Sequence, residues 1–129
     1  MDNRIFNLNI LVLAYLGDSV YENYVRRHLI EQGFAKVNDL QKASISFVSA
    51  VSQAKFIRIM INSNFFNEFE FSIVKRARNY KTTSHPKNCD IITYKYATAL
   101  EALVGYYDLI NNNERIDEIM NFIFNCEIC

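Results

Sequence analysis

One proline and three glycines among 129 residues leave few places where the chain can turn sharply, and Pro86 falls outside every apolar-periodic segment. That scarcity favours long helices over an architecture of many short strands. Long apolar runs are missing too. The longest is the seven residues Ile10 to Leu16, far short of the ~20 that span a bilayer. Asp2-Asn3-Arg4 lacks the basic-then-apolar layout of a secretory leader, so no membrane partner and a cytoplasmic location are expected. Cysteine is sparse and odd in number. Cys89, Cys126 and Cys129 suit reduced thiols better than a disulfide framework, and Cys126-x-x-Cys129 falls short of the four ligands of a structural zinc site. What is present is apolar bulk: at 50% hydrophobic, the chain suits one domain over residues 1–129 with its own core.

Net charge is zero, which by itself argues against a nucleic-acid binder, but the distribution is uneven. Between Phe71 and Cys89 there are five basic residues (Lys75, Arg76, Arg78, Lys81, Lys87) and no acid, leaving nine basic against fourteen acidic residues elsewhere. A basic stretch on an acidic body is a footprint for phosphate. The plain alternative is a solvated helix end, where the dipole favours cations.

Periodicity predicts an all-α bundle of about six helices. A first helix runs from residue 8 to about 32, with Gly33 as its stop. Its first half is apolar nearly all round, so it must be central, paired with a second subunit, or both. A short helix is expected over 38–42 and a longer one from Ser44 to about Asn62. Asn67 and Glu70 form a capping-box signal for a helix ending near Arg78. Residues 79–88 read as a loop, and a helix follows from Ile91 or Ile92 to Ile110. Asn113 caps a last helix.

Two of these helices carry an isolated acid beside a glycine. Asp18 follows Gly17 directly after the apolar run, and Glu101 is the only acid in Tyr94 to Gly105, with Gly105 one turn further along the same face. A buried charge must be hydrated, paired or metal-bound, and a helical glycine marks close backbone approach. Two such helices crossing tightly can bring Asp18 and Glu101 to one cation. The ordinary alternative is two solvated surface charges.

Leu16-Gly17-Asp18 resembles the signature helix of the ribonuclease III family, and Glu101-Ala102-Leu103-Val104-Gly105 resembles that family's second motif helix. Arg76-Ala77-Arg78-Asn79 and Pro86-Lys87-Asn88-x-Asp90 look like its compact Mini subclass, which lacks a separate double-stranded-RNA-binding domain. The resemblance implies a dimeric helical endonuclease domain that cuts double-stranded RNA, with precursor ribosomal RNA of the large subunit as substrate and a ribosomal protein as a candidate helper. It implies Asp18 and Glu101 as catalytic metal ligands for Mg²⁺, with Mn²⁺ as substitute. The ion activates water for in-line attack and offsets charge on the leaving oxygen. Arg76, Arg78, Lys81 and Lys87 are then RNA contacts, with Asn79 and Asn88 as weaker candidates. Glu22 either reaches the metal's outer sphere or pairs with Arg26, and Thr98 either holds a water or packs.

This sequence departs from the full-length family pattern at Leu11, Ala14 and Thr98, where further carboxylates stand. That thinning admits a rival: a catalytically inactive RNA-binding dimer of the same fold. A helical metal-dependent nucleotide hydrolase is a second rival, although its usual Glu-x-x-Glu or His-Asp pairs are missing from both motif helices.

Overall fold

The computed structural model describes residues 3–81 and 89–126, and within them the chain is helical without strands. Seven helices follow in order: α1 (Asn3–Phe6), α2 (Ile10–Glu31), α3 (Val37–Val48), α4 (Ala50–Asn62), α5 (Glu68–Asn79), α6 (Ile91–Leu109) and α7 (Asn113–Phe124). The most extensive pairing is between α2 and α6, with α4 and α5 packed on α6 and α3 against α2.

Local chemistry sets the ends. Asn9 caps α2 by accepting from the Leu11 amide at 2.8 Å. Beyond its last turn Gly33 takes φ +101° while Phe34 N–H returns to Leu29 O, a backbone state that costs a glycine nothing. The capping box of α5 is complete: Asn67 Oδ1 accepts from Glu70 N–H, and the Glu70 carboxylate accepts from Asn67 N–H. Asp90 caps α6 through Thr93 N–H at 2.7 Å. The expected break near residue 43 falls instead at Ser49, whose hydroxyl caps α4 by accepting from Ser52 N–H. The last helix is capped by Asn112 rather than Asn113, after Asn111 turns the chain at φ +61°.

α6, rather than the first half of α2, is the helix buried on all sides. From Ala97 to Tyr107 every residue but Glu101 is buried, whereas α2 leaves Val12 half exposed and Tyr15 84% exposed. Small side chains let α6 sit at the centre, and at one point backbone meets backbone. A methyl group on Gly17 would lie 1.7 Å from Glu101 O, and one on Gly105 would lie 1.9 Å from Leu13 O. Side chains from α2, α4, α5 and α7 (Leu13, Tyr21, Ile57, Met60, Ile73 and Ile119) close the core around it. Tyr21 is fully buried and spends its hydroxyl on Phe47 O at 2.6 Å.

One buried charge pins three helices. Glu70, fully buried on α5, receives both Nε and Nη2 of Arg115 at 2.7 Å and the Tyr107 hydroxyl at 2.6 Å. Burial pushes the Glu70 carboxyl up, but the hydrogen bonds from Arg115, Tyr107 and Asn67 and the Arg115 charge outweigh it and hold the group below its ordinary range. Removing one partner of such a pair costs ~3–5 kcal/mol, so this network is structural. His28 is likewise a packing residue, stacked on Phe124 with centroids 3.8 Å apart.

The crossing makes a sharp stability prediction. In an open helix Gly17→Ala would gain about 1 kcal/mol of propensity. Here the methyl group meets the Glu101 carbonyl, and overpacking of this kind costs ~1–3 kcal/mol or more. Chemical denaturation should show the variant destabilised by about 3 kcal/mol; a gain in stability would mean the two helices separate freely.

Candidate active site

Gly17 and Gly105 bring α2 and α6 together, and the acids stand beside that contact. Asp18 is next to Gly17, and the atom of the facing helix that a methyl group on Gly17 would meet first is the carbonyl oxygen of Glu101 itself. Both side chains line one cleft of about 270 Å³, with Leu11, Ala14, Tyr15, Tyr94 and Thr98 as its other walls. Asp18 is exposed at the mouth; Glu101 is half-buried behind it.

The electrostatics follow from that placement. Glu101 is pushed up from its ordinary 4.5 to about 8, first by burial, then by hydrogen bonding to and the negative charge of Asp18, with Glu22 adding a weaker push. Gln53 acts in the opposite sense. Its amide stands beside the carboxyl from α4, but its Nε2 falls short of hydrogen-bond geometry, and the residue is only 2% exposed. Among the described residues no group of three or more His, Cys, Asp or Glu converges, so the acidic site is the Asp18–Glu101 pair alone.

A hard divalent cation suits this donor set. Two carboxyls forced together in a half-buried cleft hold a proton at a pH where carboxylates are normally ionised, and a cation replaces that proton while cancelling the repulsion. Mg²⁺ keeps several waters and takes one or two protein carboxylates, and the cleft leaves room for both water and a phosphate oxygen.

The remaining sequence candidates divide. Thr98 is buried in the cleft wall with its hydroxyl donated to Tyr94 O at 2.9 Å. Glu22 pairs with Arg26 at 3.8 Å and lines the neighbouring groove between α2 and α3 instead. Arg76 is half-buried and tied to the N-terminal turn, its Nη1 donating to Phe6 O at 2.6 Å and its Nη2 to Leu8 O at 2.7 Å. Its guanidinium also covers the Phe6 ring at 4.9 Å. Arg78, Asn79 and Lys81 are exposed at and beyond the end of α5, outside the cleft lining. Lys87 and Asn88 lie outside the described residues. Sequence reasoning missed Gln53, a lone polar residue on an apolar helix face, and Tyr15, which the structure places 84% exposed at the cleft mouth.

The ribonuclease III domain pattern matches residues 11–111, a stretch that contains both motif helices and the cleft between them. The chain belongs to the ribonuclease III family. Within that family its likeness is to proteins named Mini-ribonuclease 3. The one from Brevibacillus brevis is 47% identical over 90% of this chain and 85% of its own length. The one from Desulfitobacterium hafniense is 47% identical over 84% and 68%, and that from Staphylococcus aureus is 38% identical over 95% and 91%. A crystal structure of a Fusobacterium nucleatum protein superposes with a TM-score of 0.82 at 32% identity, covering 93% of this chain and 96% of that one.

The raised Glu101 predicts a pH dependence. The folded chain holds this proton more tightly than the unfolded chain does, so the stability gained is full below the ordinary 4.5 and is lost as pH rises towards about 8. Without divalent cations, wild-type melting temperature should fall between about pH 5 and about pH 8 relative to that of Glu101→Gln. Parallel profiles for the two proteins would show that the carboxyl is not held neutral.

Proposed function

We propose that this endoribonuclease-family chain hydrolyses double-stranded RNA with a divalent cation, Mg²⁺ or Mn²⁺, held between Asp18 and Glu101, and that its substrate is precursor ribosomal RNA of the large subunit. The observation that carries the reading is the cleft in which these two acids, eighty-three positions apart in the chain, abut. When bound, the ion supplies Lewis acidity: a more acidic water and charge compensation for the scissile phosphate.

The chain's own groups do the rest. Asp18, exposed at the mouth, would hold the cation from the solvent side. Glu101, beside the backbone crossing, would hold it from within the cleft. Thr98 keeps its hydroxyl oxygen in the cleft wall, where it can accept from a bound water. Tyr15 and Tyr94 flank the opening and limit how a phosphodiester approaches. Arg78 and Lys81, with Lys87 and Asn79 and Asn88, give the phosphate contacts of a duplex read by backbone shape rather than base sequence. Arg76 serves by holding the N-terminal turn against α5.

The same reading includes a homodimer. Val12 and Tyr15, one turn apart on α2, are exposed at 50% and 84%, and Ile45 and Val51 stand exposed at 61% and 45%. A second copy covering such exposed apolar side chains would set two clefts on one duplex, one for each strand. Shape reading carries little sequence choice, so a ribosomal protein on the precursor is the natural helper for site selection. A cytoplasmic location accords with such a substrate. No single helix among the described residues is long and apolar enough to cross a membrane; only α3 and α4 together, bent by 46°, reach that composition.

Asp18→Asn tests the function. Purified variant and wild type are incubated with long duplex RNA and Mg²⁺, with melting and filter-binding controls. Loss of an outer-sphere partner typically costs about 10- to 100-fold, so loss of a direct ligand should lower cleavage by more than about 100-fold while leaving fold and duplex binding intact. Undiminished cleavage overturns the site. Duplex binding without cleavage by the wild type would instead show an inactive RNA-binding module, and nucleotide turnover without duplex affinity a small-molecule hydrolase.

A further inference from the structure

The inward face of α4 is apolar through Ala54, Phe56, Ile57 and Met60, apart from Gln53. That residue is 2% exposed, and its Nε2 has no hydrogen-bond partner. A buried donor left unpaired is a net cost that an apolar side chain of similar volume would avoid. Packing therefore does not account for an amide here. The carboxyl it faces is that of Glu101 on α6, reached from a third helix.

We propose that Gln53 is a positioning residue for the cation site: its side-chain N–H donates to one oxygen of the Glu101 carboxylate and leaves the other to the ion shared with Asp18. The inference rests on the reading of Asp18 and Glu101 as a cation site. The chemistry is that of an outer-sphere donor, which orients a ligating carboxylate and is otherwise uninvolved in the reaction. Asp18 and Glu101 would hold the ion, and the Gln53 amide would keep the Glu101 carboxylate turned towards it. Three helices then fix one carboxylate: α6 carries it, α2 abuts its backbone through Gly17, and α4 orients its head.

The test replaces the donor without emptying the space. Gln53→Met and Gln53→Leu are compared with wild type and with Asp18→Asn in Mn²⁺ titrations that follow the free ion by electron paramagnetic resonance, alongside melting in chelator. Both Gln53 variants should melt at or above the wild-type temperature and bind Mn²⁺ about 10- to 100-fold more weakly. Duplex cleavage should lose kcat with KM unchanged, since the RNA contacts are intact. Wild-type Mn²⁺ affinity in a folded Gln53→Met, with Asp18→Asn weakened, overturns the role of Gln53 alone. Equal affinity in wild type and Asp18→Asn removes the cation site and this inference with it. Loss of fold in both apolar variants would show the amide to be structural and would also overturn it.

Discussion

Everything in this molecule that bears on chemistry depends on one contact, the backbone-to-backbone crossing of α2 and α6 at Gly17 and Gly105. Each glycine forgoes about 1 kcal/mol of helix propensity, and in return two helices approach to a distance no Cβ would permit. The approach accompanies the burial of α6 from Ala97 to Tyr107, and it places the residue after Gly17 opposite the residue whose carbonyl Gly17 touches. Asp18 and Glu101 do not meet through flexible loops. They are carried by two helices whose backbones touch beside them, so the helices cannot move closer or slide without a backbone clash.

Two half-hidden or hidden acids on this scaffold show how differently a carboxylate can be treated. Glu70 is fully enclosed but surrounded by donors, with Arg115, Tyr107 and Asn67 satisfying both oxygens, and its charged state is favoured. Glu101 is less enclosed yet faces another acid, with only the unpaired Gln53 amide inclined in its favour. The first arrangement is complete and serves cohesion. The second is incomplete in positive charge, and an ionisable group kept in that condition beside an open cleft marks a place where a ligand is expected.

The sequence made the two acid–glycine helices legible because each signal is local: a glycine in an apolar run, an acid where none is needed, a helical period around both. Capping chemistry was nearly as clear at Gly33 and Asn67. The failures are of another kind. Arg76 and Arg78 look equivalent in a basic stretch, but two positions along a helix is over half a turn, so one faces inward to the Phe6 and Leu8 carbonyls while the other faces water. The pairing of Glu70 with Arg115 joins residues forty-five positions apart and leaves no periodic trace. The α3–α4 break hid behind an apolar period that continues across Ser49, and Gln53 looked like one polar residue among several on α4. Tyr15 escaped notice because an apolar residue in an apolar run carries no mark of whether its own chain covers it.

The central claim is that the crossing creates a single divalent-cation site shared by one acid from each helix. Anomalous diffraction from crystals soaked in Mn²⁺ addresses it most directly, because it locates the ion without relying on turnover. The account predicts one strong peak in direct contact with a carboxylate oxygen of Asp18 and of Glu101 in the same cleft. A cleft with no peak, or an ion bound to one acid while the other turns away, would contradict it.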